Sequence, residues 1–209
     1  MKEIFTFLTI YSAVPAIAAP IAAIAGILVE QRRAKVFILA FQYTMVAWLL
    51  LAILPLESTI AKLIAGWIAA FILYYGAARA SAGAYTESSV VGYPRGQIFR
   101  IVAILLVVIG TLGVSFEAWI PIETPNAWFQ QTAALLIVLG ILGVGLYNSP
   151  LQVGISLITI VSGFELVYSA VEPSLAVIAL LALVHLGIAF VISYFEIIQV
   201  EEPSEAFSG

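Results

Sequence analysis

The sequence predicts an all-α, polytopic integral membrane protein of about seven transmembrane helices, with the N-terminus outside and the C-terminus inside. Of its 209 residues, 63% are hydrophobic and only 10% are charged, where an ordinary soluble domain carries about 25% charged residues. Apolar stretches of about eighteen residues or more, long enough to cross a hydrocarbon core of about 30 Å, recur along almost the whole chain. The segments between them are too short for a soluble domain, so a single membrane domain is expected.

Polar interruptions mark the spans at residues 4–29, 34–54, 58–79, 97–114, 128–147, 151–171 and 174–198. The first follows Lys2 and runs far beyond the apolar core of a cleavable signal peptide, so it reads as a retained helix. Within it, "PAIAAPIAAIAG" sets small residues at helical spacing around Pro15 and Pro20. That pattern suits a bent helix with a close packing surface, or a docking face for another subunit. The fourth span, "IFRIVAILLVVIGTLGVS", barely reaches the required length and carries Arg100. Only Glu172 and Pro173 separate the sixth span from the seventh, which implies a tight turn and an antiparallel pair.

Orientation follows from the basic residues, which are retained on the cytoplasmic side. Arg32, Arg33, Lys35, Arg79, Arg95 and Arg100 gather on one side, and Lys2 and Lys62 are read on the other. The longest connection on the basic side is residues 80–96, and it looks irregular. On the opposite side, Trp119 and Trp128 suit an aromatic belt at the headgroups.

Composition also excludes functions. There is no cysteine and one histidine, His185. Disulfides, iron–sulfur ligation, cysteine-type zinc sites and a haem held by two imidazoles therefore cannot be built within the chain. No basic patch of the kind that binds nucleic acid is present. The last span has no lysine, which rules out a retinal Schiff base there. No cofactor ligand set, metal site or nucleophile with its base is evident.

Twelve acidic residues are present, all glutamate. Glu3, Glu30, Glu57, Glu87, Glu117 and Glu123 fall in loops or at span ends, and Glu196, Glu201, Glu202 and Glu205 at the inner end and tail. Glu165 alone reads as deep, about 6 Å along the helix from the middle of the sixth span. A carboxylate at that depth costs several kcal/mol and any apolar residue would avoid the cost, so its presence asks for a reason. Ser162, Tyr168, Ser169 and Glu172 lie within about 60° of it around the helix, making a polar stripe that must face protein or water. Burial disfavours a fixed charge, so Glu165 reads as a group that takes up and releases protons, or as a protonated packing residue. Glu172, about 10 Å further out, is either an outer stop on the same path or a hydrated interfacial carboxylate. His185, in "ALVHLGIAF", lies within about 5 Å of the depth of Glu165, as a relay partner or a hydrogen-bonded core residue. Gln42, Tyr43, Thr44 and Thr159 could extend a hydrated path or bond across helices.

The last three spans carry a resemblance. "LLIVLGILGVGLYNSPLQVGISLITIVSGFELVYSAV" followed by "LAVIALLALVHLGIAFVISYF" resembles the three-helix K subunit of bacterial respiratory complex I, with its relatives, the C subunit of multisubunit sodium/proton antiporters and component E of hydrogenase-4. The family's glycine-x-glutamate-leucine element corresponds here to Gly163, Phe164, Glu165 and Leu166. The resemblance implies a three-helix unit over residues 128–198, preceded by about four extra helices in 1–127 and followed by an acidic tail, 199–209. It further implies that Glu165 is one station on a lateral proton or sodium path, in a complex whose redox chemistry lies in other subunits. Two departures stand out. The loop before the middle helix, "LYNSPLQ", has none of the usual basic residues, and the third helix lacks a central acid but offers His185. The expected setting is the inner or another energy-transducing membrane, with antiporter-like membrane subunits and lipids as partners and no cofactor in this subunit. The rival expectation is a structural membrane subunit that spaces or anchors larger ones. A stand-alone carrier is disfavoured, because paired interrupted helices and multiple deep charges are absent.

Overall fold

The computed structural model describes residues 2–82, 96–114, 127–172 and 174–201, and within 2–12, 80–82, 127 and 199–201 the backbone alone. Seven helices cover these residues: α1 (Lys2–Leu28), α2 (Arg32–Leu50), α3 (Leu56–Ala82), α4 (Gln97–Leu112), α5 (Ala127–Leu146), α6 (Pro150–Val171) and α7 (Leu175–Glu201). All are α-helical and their bounds follow the predicted apolar segments closely. The second span ends earlier than its apolar run, with residues 51–54 in turns, because a residue preceding proline, here Pro55, is steered away from helical backbone. Five helices are long and apolar enough to cross a membrane: α2, Leu56–Arg79 of α3, Trp128–Leu146 of α5, α6, and Leu175–Ile198 of α7. The apolar stretch Ala13–Leu28 of α1, whose side chains are described, and α4 are shorter. The expected irregular connection begins later than predicted, since residues 80–82 continue α3; the expectations for 83–95, for Trp119, for the turn at Pro173 and for most of the acidic tail fall outside the described residues.

The helices pack as two four-membered rings that share a wall. One ring runs α1, α2, α6, α5, and the other α2, α3, α7, α6, so α2 and α6 belong to both; α4 lies outside, mainly against α5. Each ring has an apolar cluster. The first gathers Ala16, Ala19, Ala23 and Ile27 of α1 with Leu136 and Leu139 of α5. The second gathers Leu39 of α2, Leu73 and Ala77 of α3, Ile158 of α6 and Ala189 and Ile192 of α7. Lipid offers no hydrophobic drive between helices, so close contact must come from shape, and small residues supply it. A Cβ on Gly163 would stand 2.7 Å from the Ala133 carbonyl oxygen of α5, and one on Gly140 would stand 2.7 Å from the Ser156 carbonyl oxygen of α6. The small face of α1 is used in the same way: Ala16, Ala19, Ala22 and Ala23 are buried inside the chain. It is therefore an internal packing surface, and the alternative of a docking face is set aside for these residues. The helix continues through Pro15 and Pro20.

By contrast, α4 buries only Ile104 and Thr111 and exposes Ile98, Leu105, Leu106 and Ile109. Such a helix suits an apolar surrounding.

Gly163→Ala is expected to force apart the α5 and α6 backbones, at a cost of about 1–3 kcal/mol. Gly110, with nothing among the described residues within 4 Å of its missing Cβ, should accept alanine with no loss, since alanine is the better helix former by up to about 1 kcal/mol. Thermal unfolding of the two variants in detergent checks the contrast.

Candidate functional site

The face of α6 that both rings share is polar along its length. Gln152, Ser156, Thr159, Ser162, Glu165 and Ser169 are all buried, at steps of three and four residues that keep them on one side of a helix. The predicted stripe thus extends inward by nearly three turns beyond Ser162. Gln152 and Ser156 lie within the predicted span, 151–171, but toward its inner end, where a polar side chain is ordinarily hydrated and carries no signal by itself. The helix begins at Pro150, since proline at the first helical position starts a helix without wasting a backbone donor.

Glu165 is 2% exposed. Its side chain points into the ring of α2, α3, α6 and α7, opposite to Gly163, which faces α5. There it forms an ion pair with Lys62 of α3, itself 7% exposed. This corrects the reading of Lys62 as a flanking charge on the outer side. Lys62 lies inside an apolar run rather than before it, and an ionisable residue within a span is the signal that would have singled it out. Two charges in a low-dielectric interior each forgo several kcal/mol of hydration, which their mutual attraction offsets only at close range. The pair therefore fixes α3 against α6.

The pair shares a narrow pocket with Tyr43 and Leu50 of α2, Gly66 of α3 and Ala182 and His185 of α7, about 310 Å³ counted with its mouth. Gly66 makes the pocket: a Cβ there would stand 2.6 Å from Cδ1 of Tyr43. His185 is 3% exposed and presents its ring 5.3 Å from that of Tyr43, edge-on. Its Nδ1 lies 2.8 Å from the Leu181 carbonyl oxygen and its Nε2 lies 3.4 Å from Ser162 Oγ. The carbonyl can only accept, so Nδ1 carries a proton and Nε2 is the nitrogen free to change state. Ser162 Oγ in turn donates to the Ile158 carbonyl oxygen, at 2.9 Å. A protonated Nε2 would donate to Ser162 Oγ without disturbing that bond, whereas a bare Nε2 competes with Ile158 for the single hydroxyl proton. Nε2 thus faces Ser162 on the polar side of α6.

One turn further along α6, Thr159 Oγ1 donates to the Ile155 carbonyl oxygen at 2.9 Å and accepts from Gln42 Nε2 of α2 at 3.3 Å. Of the weaker polar candidates, Gln42, Tyr43 and Thr159 therefore face the interior. Thr44 does not: its hydroxyl donates to the Ala40 carbonyl oxygen at 3.0 Å and accepts from the exposed Trp67 at 3.3 Å. Ser169 is buried on the stripe, while Tyr168 is half-buried with its ring 5.6 Å from Phe164. Glu172 leaves the stripe altogether. The helix ends at Val171, and Glu172 is exposed with φ −139° and ψ 88°, the extended backbone that a following proline demands.

At the other end of the bundle Glu196, which the sequence places simply at the inner end, is 2% exposed. It accepts the Leu151 backbone N–H at 2.9 Å and pairs with Arg32 at 2.6 Å. A carboxylate at a helix N-terminus satisfies an otherwise open donor and meets the positive end of the helix dipole, so Glu196 ties α7 and α2 to the start of α6. Nearby, the Lys35 ammonium and the Arg100 guanidinium lie 5.0 and 4.8 Å from the centre of the Tyr147 ring. Burial pushes the Tyr147 phenol up, with Arg100 pulling against it; its hydroxyl keeps its proton and donates to the Ile27 carbonyl oxygen.

No cluster of three or more metal-binding side chains occurs among the described residues. The chain matches no family model, and no curated protein or solved structure matches it. The side-chain arrangement thus carries the functional reading.

Lys62→Met or Glu165→Gln alone strands the other charge and is expected to lower stability by up to about 3–5 kcal/mol. The Lys62→Met/Glu165→Gln double variant should recover most of that loss. A double-mutant cycle of unfolding midpoints in detergent measures the coupling, and additive losses would contradict the pair.

Proposed function

We propose that this chain is a membrane subunit of a complex I-like, group 4 hydrogenase-like or multisubunit antiporter-like assembly, and that Glu165 takes part in proton or sodium translocation. The observation that carries the reading is the buried Lys62–Glu165 pair set against His185. A buried pair can be neutralised by moving one proton from the ammonium to the carboxylate, or carry a net charge after taking one up. His185 lines the same pocket and would serve as a further station. Glu165 therefore has two things a translocation residue needs, an exchangeable proton and a counter-charge. The resemblance of the last three helices to the K-subunit family supplies the class of assembly, and His185 stands for the missing third-helix acid.

The departure in the loop before α6 is compensated in space. "LYNSPLQ" has no basic residue of its own, yet Lys35 and Arg100 cover its Tyr147, and Arg32 reaches its Leu151 through Glu196. Withdrawing Lys62 from the flanking charges leaves the basic asymmetry in place, so the Arg32 end is assigned to the cytoplasm and the Leu56 end to the outside. The setting is an energy-transducing membrane, with antiporter-like subunits as neighbours.

A structural subunit is the second reading, favoured by one observation: the same ion pair joins α3 to α6 and would serve packing alone. The Lys62→Met/Glu165→Gln variant separates the two, because no charge is left unpartnered. In membrane vesicles bearing the intact assembly, coupled ion translocation should fall by about 100-fold or more while the complex persists on a native gel. Full translocation in that assembled variant would favour the structural role.

A further inference from the structure

The ring of α1, α2, α5 and α6 encloses a second pocket, about 290 Å³ with its mouth, toward the Arg32 end. Lys35 and Gln42 of α2, Gly26 of α1, and Gln152, Ser156 and Thr159 of α6 line it. Gln152 is 1% exposed, and among the described residues neither its amide nitrogen nor its amide oxygen has a hydrogen-bond partner. An unmade hydrogen bond on a buried amide is costly, and an apolar side chain of the same size would remove the cost. We propose that this pocket holds ordered water anchored on the Gln152 amide, linking the Lys35 end of the bundle to the Gln42–Thr159 bridge.

The chemistry favours water over an ion. Among the described residues no carboxylate lines the pocket and an ammonium does, which disfavours a metal cation, whereas water can accept from the Gln152 amide nitrogen and donate to its oxygen at once. Polar atoms on successive turns of α6 supply the two to four partners that a buried water needs. Beyond the Gln42–Thr159 bond, the pocket around Glu165 repeats the condition, since the buried Tyr43 hydroxyl there also lacks a partner among the described residues. Each ring thus has a pocket with a buried polar atom lacking a partner among the described residues, and the Gln42–Thr159 bond at the edge of the first joins the two shared helices. The presence of the water stands independently; its role in conduction rests on the reading of Glu165 given above.

The test uses the full chain in its native membrane assembly. A density map fine enough to show ordered water should have a peak about 2.7–3.2 Å from the Gln152 amide, and an empty pocket would overturn the proposal. Gln152→Leu should remove that peak and slow coupled translocation about tenfold, the worth of one bridging hydrogen bond. If the water is present but Gln152→Leu conducts normally while Glu165→Gln does not, the link to conduction is overturned and the reading of Glu165 stands. If Glu165→Gln also conducts normally, that reading fails while the water remains as placed.

Discussion

One ion pair organises the middle of this protein. Lys62 and Glu165 come from helices separated by more than a hundred residues, and neither charge would be held at this depth without the other. Their meeting requires α3 and α6 to face across the ring that α2 and α7 complete. It requires Gly66 to admit the Tyr43 ring and Gly163 to let α5 approach from behind. The fold is therefore arranged so that a polar column can exist without touching lipid.

That column has a grain. Toward one end lie Lys62, Glu165, His185 and Tyr43; toward the other lie Gln152, Ser156 and Lys35, with the Glu196–Arg32 pair at the start of α6. The two groups occupy different rings and touch through α2 and α6 alone. Apolar residues fill the rest, with Leu136 and Leu139 on one side and Leu73 and Ile158 on the other. Those clusters separate the polar contacts from the outer surface of the bundle.

The helices and the central carboxylate were legible from the sequence because hydropathy and helical spacing are local properties. Glu165, Ser162 and Ser169 share a buried face in the structure as their spacing requires, and His185 joins their pocket. What the sequence concealed was pairing. Lys62 lies one turn inside its span and Glu196 near the end of its own, and only the packing of α3 on α2 and α7, and of α7 on α6, shows that both turn inward. Gln152 was hidden for a related reason: it stands in the first turn of the sixth span, where an amide is ordinarily hydrated, and nothing local shows that α1, α2 and α5 cover it. Glu172 fails in the opposite sense, because spacing continues past a residue at which the helix does not.

The shared wall has a mechanical corollary. With α2 and α6 belonging to both rings, neither enclosure can be repacked without disturbing its neighbour, much as a party wall cannot be moved for one house alone. The threonine on α6 and the glutamine on α2 are the side-chain tie within that wall.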